Sequence, residues 1–328
     1  MRITTFALLS AVFSFSFILS PDAHAQEPAQ PVHSQPFSLK PLGHNVYTAI
    51  DNPKGEAGAN AGFVIGDDGV LVVDSFENAG AAKEMLGEIR KLTALPIKYV
   101  VNTHYHLDHV AGNGVFAKEG AVIVAHRNVR PWIHTENLKF FGKDIKPEQK
   151  AVVEGLVSPG LVYDTEIEIF LGSRRVLIHS FPGHTGGDTV VAVPDAQVVF
   201  CGDLFWRNTL PNLIDATTAQ WIPTLEKLAA GHPDATFVPG HGDVGNAADV
   251  NAFRVYLSDL RAMDADPVKA GKSGDDLVNA VMPQLKEKYG TWNFFDYFAK
   301  TDILNAAAEL RGDKKNPQPE SAARPAGH

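Results

Sequence analysis

Between residues 102 and 109 the chain reads Asn-Thr-His-Tyr-His-Leu-Asp-His, which sets His104, His106, Asp108 and His109 within six residues. Imidazole nitrogen and carboxylate oxygen are donors that zinc and iron both accept. Two histidines two residues apart point the same way where the backbone is extended, and Asp108 and His109 follow at the turn, where they can face a second ion. A lone histidine pair is commonly structural or solvent-facing; a run this dense is not explained that way. Three further groups supply what such a centre lacks: His184 in Phe-Pro-Gly-His-Thr-Gly-Gly, Asp203 in Cys-Gly-Asp-Leu-Phe, and His241 in Val-Pro-Gly-His-Gly-Asp. The seven donors divide into His104, His106 and His184 for one ion and Asp108, His109 and His241 for another, with Asp203 bridging. Two ions about 3.5–4 Å apart lower the pKa of a shared water towards neutrality, which yields hydroxide at working pH.

The elements that must position these donors are legible as apolar runs. Ile97–Val101 is β-branched and aromatic and ends immediately before the first run. Strands are also expected at 45–50, at 62–65 and 70–74 (a hairpin joined by Asp68-Gly69), at 121–125, and in a second series at 166–171, 175–180, 188–193, 197–201 and 236–239. Helices are expected from Asn78 to about Leu92, with Ala82, Met85, Leu86, Ile89 and Leu92 on one face, and over 221–230 and 247–260. Each donor group follows a strand, so one edge of the sheets can gather them all. Two blocks of strands, each closed by helices and joined without an obvious linker, predict an α/β fold. Its form is a four-layer αβ/βα sandwich over residues 41–263, followed by a helical C-terminal extension over 264–312. Residues 51–60 carry turn chemistry long enough for a mobile flap. Trp132, Phe140 and Phe141 look exposed, and residues 292–298 read as a docking face for the C-terminal helices or a dimer contact.

Residues 1–25 have one positive charge, an apolar stretch to Ser20, a Pro21 break and an Ala-His-Ala site, the pattern of a secretory signal peptide. Export to the periplasm or the medium is therefore expected, with no membrane span once the leader is cleaved. Residues 26–40 read as a flexible lead-in and 313–328 as a disordered tail. Cleavage after Ala25 removes one charge of each sign, so the formal charge stays at -9, a poor footprint for nucleic acid. Cys201 is the one cysteine, which rules out an internal disulfide. It lies two residues before the metal position and reads as a buried strand residue.

In order, the motifs H-x-H-x-D-H, G-H-T, G-D and P-G-H make the chain resemble the metallo-β-lactamase superfamily over roughly residues 45–262. The resemblance implies two zinc ions at one edge of the sandwich, with an aspartate placed like Asp74 supporting the metal loop. The spacing is similar to true metallo-β-lactamases, and Leu210-Pro-Asn212 then places Asn212 near the substrate carbonyl as an oxyanion donor. The ligand set departs from those enzymes, since Asp203 stands where they carry a cysteine and His109 where they carry arginine. In both respects it looks like glyoxalase II and lactonases. The expected reaction is hydrolysis of a small-molecule cyclic amide or ester, a β-lactam or a lactone, by a metal-bridging hydroxide, with Asp108 and Asn212 as catalytic residues. Rival readings are a thioester hydrolase of glyoxalase II type, an iron-dependent oxidoreductase on the same fold, and an accessory protein without activity. Trp206, Phe205 and the 51–60 loop are candidate pocket walls, equally explained as packing. The oligomeric state has no signature.

Overall fold

The computed structural model of the protein describes residues 35–319. The expected leader and most of the lead-in lie outside the described residues, as does the tail from residue 320. Among the described residues no helix is long and apolar enough to cross a membrane.

The first sheet has seven strands in sequence order: β1 (Phe37–Gly43), β2 (Val46–Asp51), β3 (Ala61–Ile65), β4 (Val70–Val73), β5 (Ile97–Val101), β6 (Val122–His126) and β7 (Leu161–Tyr163). β1 to β4 pair antiparallel, with tight turns between β1 and β2 and between β3 and β4 and a longer loop between β2 and β3, and β4 to β7 pair parallel through crossovers. The second sheet has five strands, β8 (Glu166–Leu171), β9 (Arg174–Ser180), β10 (Thr189–Val193), β11 (Val198–Trp206) and β12 (Thr236–His241), ordered β12-β11-β10-β9-β8. The helices are α1 (Ala79–Leu92), α2 (Leu107–Val110), α3 (Asn113–Lys118), α4 (Val129–Phe141), α5 (Pro147–Glu154), α6 (Thr218–Gly231), α7 (Ala247–Lys269), α8 (Gly274–Tyr289) and α9 (Phe295–Arg311).

Strand alternation sorts the apolar side chains into layers. Leu71, Val73, Val191, Val193, Val198 and Phe200 meet between the two sheets. Their neighbours Val70 and Val72 turn outward onto Ala82, Met85 and Ile89 of α1 and Phe116 of α3. On the opposite outer face Val190, Val199 and Cys201 pack under Leu225 of α6, Phe253 and Leu257 of α7, Leu277 of α8 and Ile303 of α9. The order helix, sheet, sheet, helix is the four-layer sandwich. Asn78 caps α1 by accepting the Ala81 N–H at 3.0 Å, as an N-cap asparagine should.

Four local expectations need correction. The first sheet begins at Phe37, inside the segment read as lead-in, because Phe37-Ser-Leu-Lys alternates and pairs as an edge strand, where Pro41 is tolerated. The helical C-terminal segment is present as α8 and α9, but its start at 264 does not hold: α7 runs unbroken across that point, and α8 and α9 share one apolar cluster with α6 and β11. The 51–60 loop is tied down: Asn60 donates from Nδ2 to the carbonyls of Pro239 and Gly242 at 2.9 and 2.8 Å, and Gly58 N–H donates to Asp51 at 3.2 Å. Trp132 is buried, its ring 5.7 Å from that of Tyr105.

Candidate metal centre

All seven predicted donors lie at one edge of the sandwich. The four of the first run lie just past the end of β5, His104 and His106 before α2 and Asp108 and His109 within it. His184 lies in the turn between β9 and β10, Asp203 lies on β11, and His241 ends β12. The register pairs Gly202 with Pro239 and Trp206 with His241, which brings the carboxylate of Asp203 beside the His241 ring. The approach leaves no room at position 240, where a Cβ would come within 1.8 Å of Asp203 Oδ1. Glycine is required there by close approach.

His104, His106, His184 and Asp203 each present one ligand atom, all within 4.8 Å of one another, and Asp108, His109 and His241 form a second such group. Asp203 faces both. Its Oδ2 lies 3.3 Å from His184 Nε2 and 3.7 Å from His104 Nε2, while Oδ1 lies 3.1 Å from His109 Nε2 and 3.5 Å from His241 Nε2. Asp108 Oδ2 completes the second group, 3.4 Å from His241 Nε2.

The ring orientations are set by partners behind each donor. Asp74 directly follows β4 in a left-handed conformation (φ 59), which aspartate adopts more readily than most residues. Its carboxylate accepts the Thr103 N–H and hydroxyl, both at 2.7 Å, and lies 2.8 Å from His109 Nδ1. That contact turns His109 Nε2 inward. Asp215 accepts the Tyr105 hydroxyl at 2.6 Å and lies 3.2 Å from His106 Nε2, turning His106 Nδ1 inward. The His184 turn is braced by Asp188, which accepts the Thr185 N–H at 2.8 Å. Burial pushes the Asp188 carboxyl up to about 7 against those donors.

Nε2 of His104, His109 and His241 and Oδ1 of Asp203 are buried and make no hydrogen bond; the short approaches above lack its alignment. Each such atom costs about 1–3 kcal/mol unless satisfied. A metal ion held by each group would satisfy all four, so the residues present fit metal binding. The electrostatics agree. Burial opposes charge on His109, yet Asp203, Asp108 and Asp74 together hold it well above the usual imidazole range. Burial likewise opposes charge on His241, and Asp203 and Asp108 raise it to about 9. His104 is pushed well below the ordinary value and His184 down to about 3, by burial first and by neighbouring imidazoles. The carboxylates thus hold protons where a cation would otherwise sit.

Asn212 lies in the loop after β11 and belongs to neither donor group. Its Oδ1 accepts the Ile214 N–H at 3.0 Å, which closes a local turn and leaves Nδ2 as the side chain's donor. Three residues on, Asp215 reaches the site, and sequence reasoning missed it: a lone aspartate in a loop carries no spacing signal. Tyr105 was foreseeable as the residue between two ligands that points the opposite way. Cys201 lies in the helix-facing cluster, its thiol pushed up by burial, and is no part of the donor set.

Converging imidazole and carboxylate donors at the edge of an αβ/βα sandwich are the mark of the metallo-hydrolase superfamily. The chain matches the metallo-beta-lactamase superfamily over residues 55–241 and belongs to it. It is 25% identical over 273 residues to the linear primary-alkylsulfatase of a Pseudomonas species, covering 68% of this chain and 52% of that one. It is 24% identical to the 2,4-dinitroanisole O-demethylase subunit alpha of a Nocardioides species, covering 73% and 70%. It is also 31% identical over 153 residues to the hydroxyacylglutathione hydrolase of Brucella ovis, covering 46% and 51%. The chain therefore spans about half the length of the first and third of these relatives. Among solved structures, a metallo-beta-lactamase from Pontibacter korlensis superposes with a TM-score of 0.57 at 20% identity, covering 68% of this chain and 99% of that one. VMB-1 gives 0.56 at 23%, covering 69% and 98%. At such identities the likeness is one of fold.

Proposed function

We propose that the protein is an exported, dinuclear zinc-dependent hydrolase that opens a carbonyl bond in a small molecule, an ester, a lactone or a cyclic amide. The observation that carries the reading is Asp203, whose two oxygens face two separate donor groups. His104, His106 and His184 would hold one ion and Asp108, His109 and His241 the other, with Asp203 common to both. When bound, such a pair supplies a nucleophile from water at neutral pH and polarises the carbonyl oxygen.

The remaining work falls to the chain. Asp74 and Asp215 fix the rings of His109 and His106, so the donors need no rearrangement during turnover. Asp108 is the donor carboxylate that reaches solvent, its side chain 29% exposed. It is placed to orient the nucleophilic water and to pass that proton to the leaving group. Trp206 stacks on His241 with ring centroids 4.0 Å apart and excludes water from that flank. A thioester is the second acyl substrate supported, by the 31% identity to the hydrolase named for hydroxyacylglutathione.

The test is metal analysis of protein purified at neutral pH, with rates on a β-lactam, a homoserine lactone, an aryl ester, a thioester and a phosphodiester. Two zinc ions per chain and acyl hydrolysis that His106→Ala lowers at least about a hundredfold are expected. Absence of stoichiometric metal, or full activity in His106→Ala, would sink the reading; tightly held iron with oxidase activity would favour its redox rival.

A further inference from the structure

Beside His241 the wall of the centre is aromatic and comes from two places far apart in the chain. Trp206 at the end of β11 stacks on the His241 ring. The turn that opens α9 supplies the other part. The Phe294 ring lies 6.1 Å from His241 and 5.9 Å from Phe298, whose own ring lies 6.2 Å from Trp206 and 4.6 Å from Tyr297. Trp292 and Phe295 in the same segment turn into the helical layer, so docking explains them. Phe294 and Tyr297 do not turn in: they remain 47% and 72% exposed.

Two features show that this outward pose is built. Phe294 has φ 60 and ψ 12, a left-handed conformation that a bulky residue rarely adopts and that persists only where the surroundings over-determine it. The surroundings do so through backbone pairing: Asn293 N–H donates to Asn208 O, and Leu210 N–H donates to Asn293 O, both at 2.9 Å. The loop that follows Asp203 therefore grips the turn that carries Phe294.

We propose that Phe294 and Tyr297 form the binding wall for an alkyl or aryl group of the substrate, so that the C-terminal helical layer selects the substrate at the metal centre. The inference rests on the hydrolase reading and names its substrate class as apolar on the side facing α9. At 47% and 72% exposure the two rings offer at most about 300 Å², which suits a small molecule and falls short of the roughly 600 Å² per partner of a stable protein contact.

The test is calorimetric titration of zinc-loaded protein with butyrate and with octanoate, alongside hydrolysis of the two p-nitrophenyl esters. Wild-type protein is expected to bind octanoate about tenfold or more tighter than butyrate, the four added methylenes leaving water on the wall. Phe294→Gly, which suits the left-handed backbone, and Tyr297→Ala, on an exposed position, should each cut that ratio at least about threefold. Phe140→Ala, an exposed aromatic on α4, should keep it. Equal binding of the two acids by the wild type, or an unchanged ratio in both wall variants, overturns the wall while leaving hydrolysis standing. A retained chain-length preference in binding with no ester turned over overturns the hydrolase reading and keeps the wall. Conversion of a dimer to a monomer by Phe294→Gly assigns the patch to a contact between copies and overturns the proposal.

Discussion

Asp74 Oδ2 and His109 Nδ1 meet at 2.8 Å in a space closed to solvent, and the same carboxylate holds the backbone and hydroxyl of Thr103. One buried group thus fixes both ends of the ligand run. Asp74→Asn keeps the shape and tolerates the left-handed backbone, but its amide can no longer offer carboxylate acceptors to every donor. The variant should fold and lose second-site metal affinity by about 10–100-fold. Metal content after dialysis against a weak chelator, read with a melting curve, checks both halves; retention of two ions would count against the role given to Asp74.

Loading should release protons. Without a cation, the nearby carboxylates keep His109 protonated well above the ordinary range and His241 up to about 9. A cation must displace those protons, so its apparent affinity should rise with pH, the His241 share of that rise levelling off above about 9. Calorimetry at pH 7 in buffers of different ionisation enthalpy should show about two protons leaving as the second site fills. A release near zero would mean that the histidines are already neutral.

Far from the centre, Asp264 on α7 is fully buried, and neither of its oxygens makes a hydrogen bond. Burial raises its carboxyl to about 7, with Arg311 opposing. An unfolded aspartate releases its proton near pH 4. Between about pH 4 and 7 the folded chain therefore holds a proton that the unfolded chain has lost. Stability falls through that window as pH rises, by up to about 1.4 kcal/mol per pH unit. Asp264→Asn removes the dependence, and its gain in urea stability should be larger at pH 8 than at pH 5 by about 2–3 kcal/mol. An equal gain at both values would assign the effect to packing instead.

The donors were legible because each is a histidine or aspartate at the end of an apolar run, and strand ends in a sandwich converge on one edge. Leu71 facing in and Val72 facing out likewise follow from a two-residue period. What escaped were residues whose role depends on a loop being held by something distant. Asp215 reaches His106 only because its loop folds back, whereas Asn212, the residue favoured by resemblance, closes a turn. Phe294 faces outward only because Asn293 pairs with Asn208 and Leu210, a contact across more than eighty residues that no local pattern encodes. The 51–60 segment looked free because its anchor, Asn60, bonds to carbonyls at the far end of the domain.

The segment after α9 should matter to the first metal site even though it touches no ligand. Lys314 Nζ donates to the carbonyls of Leu213 and Ala216, and Asn316 Nδ2 donates to Ala216 O at 3.2 Å and Thr217 Oγ1 at 2.8 Å. These acceptors flank Asp215, so residues read as a loose tail in fact hold the loop that turns His106. Burial draws the Lys314 amine down to about 8, with Glu309, Asp215 and Asp302 opposing. Lys314→Met takes one donor from each of the two carbonyls and should weaken the first site by about tenfold. Asp215→Asn should do the same through His106 directly. Because both act through one loop, the double variant should lose little more than Asp215→Asn alone, the coupling expected of residues in one network. Competition with a chromophoric chelator reads each site, and fully additive losses would show that Lys314 acts on the fold and not on His106.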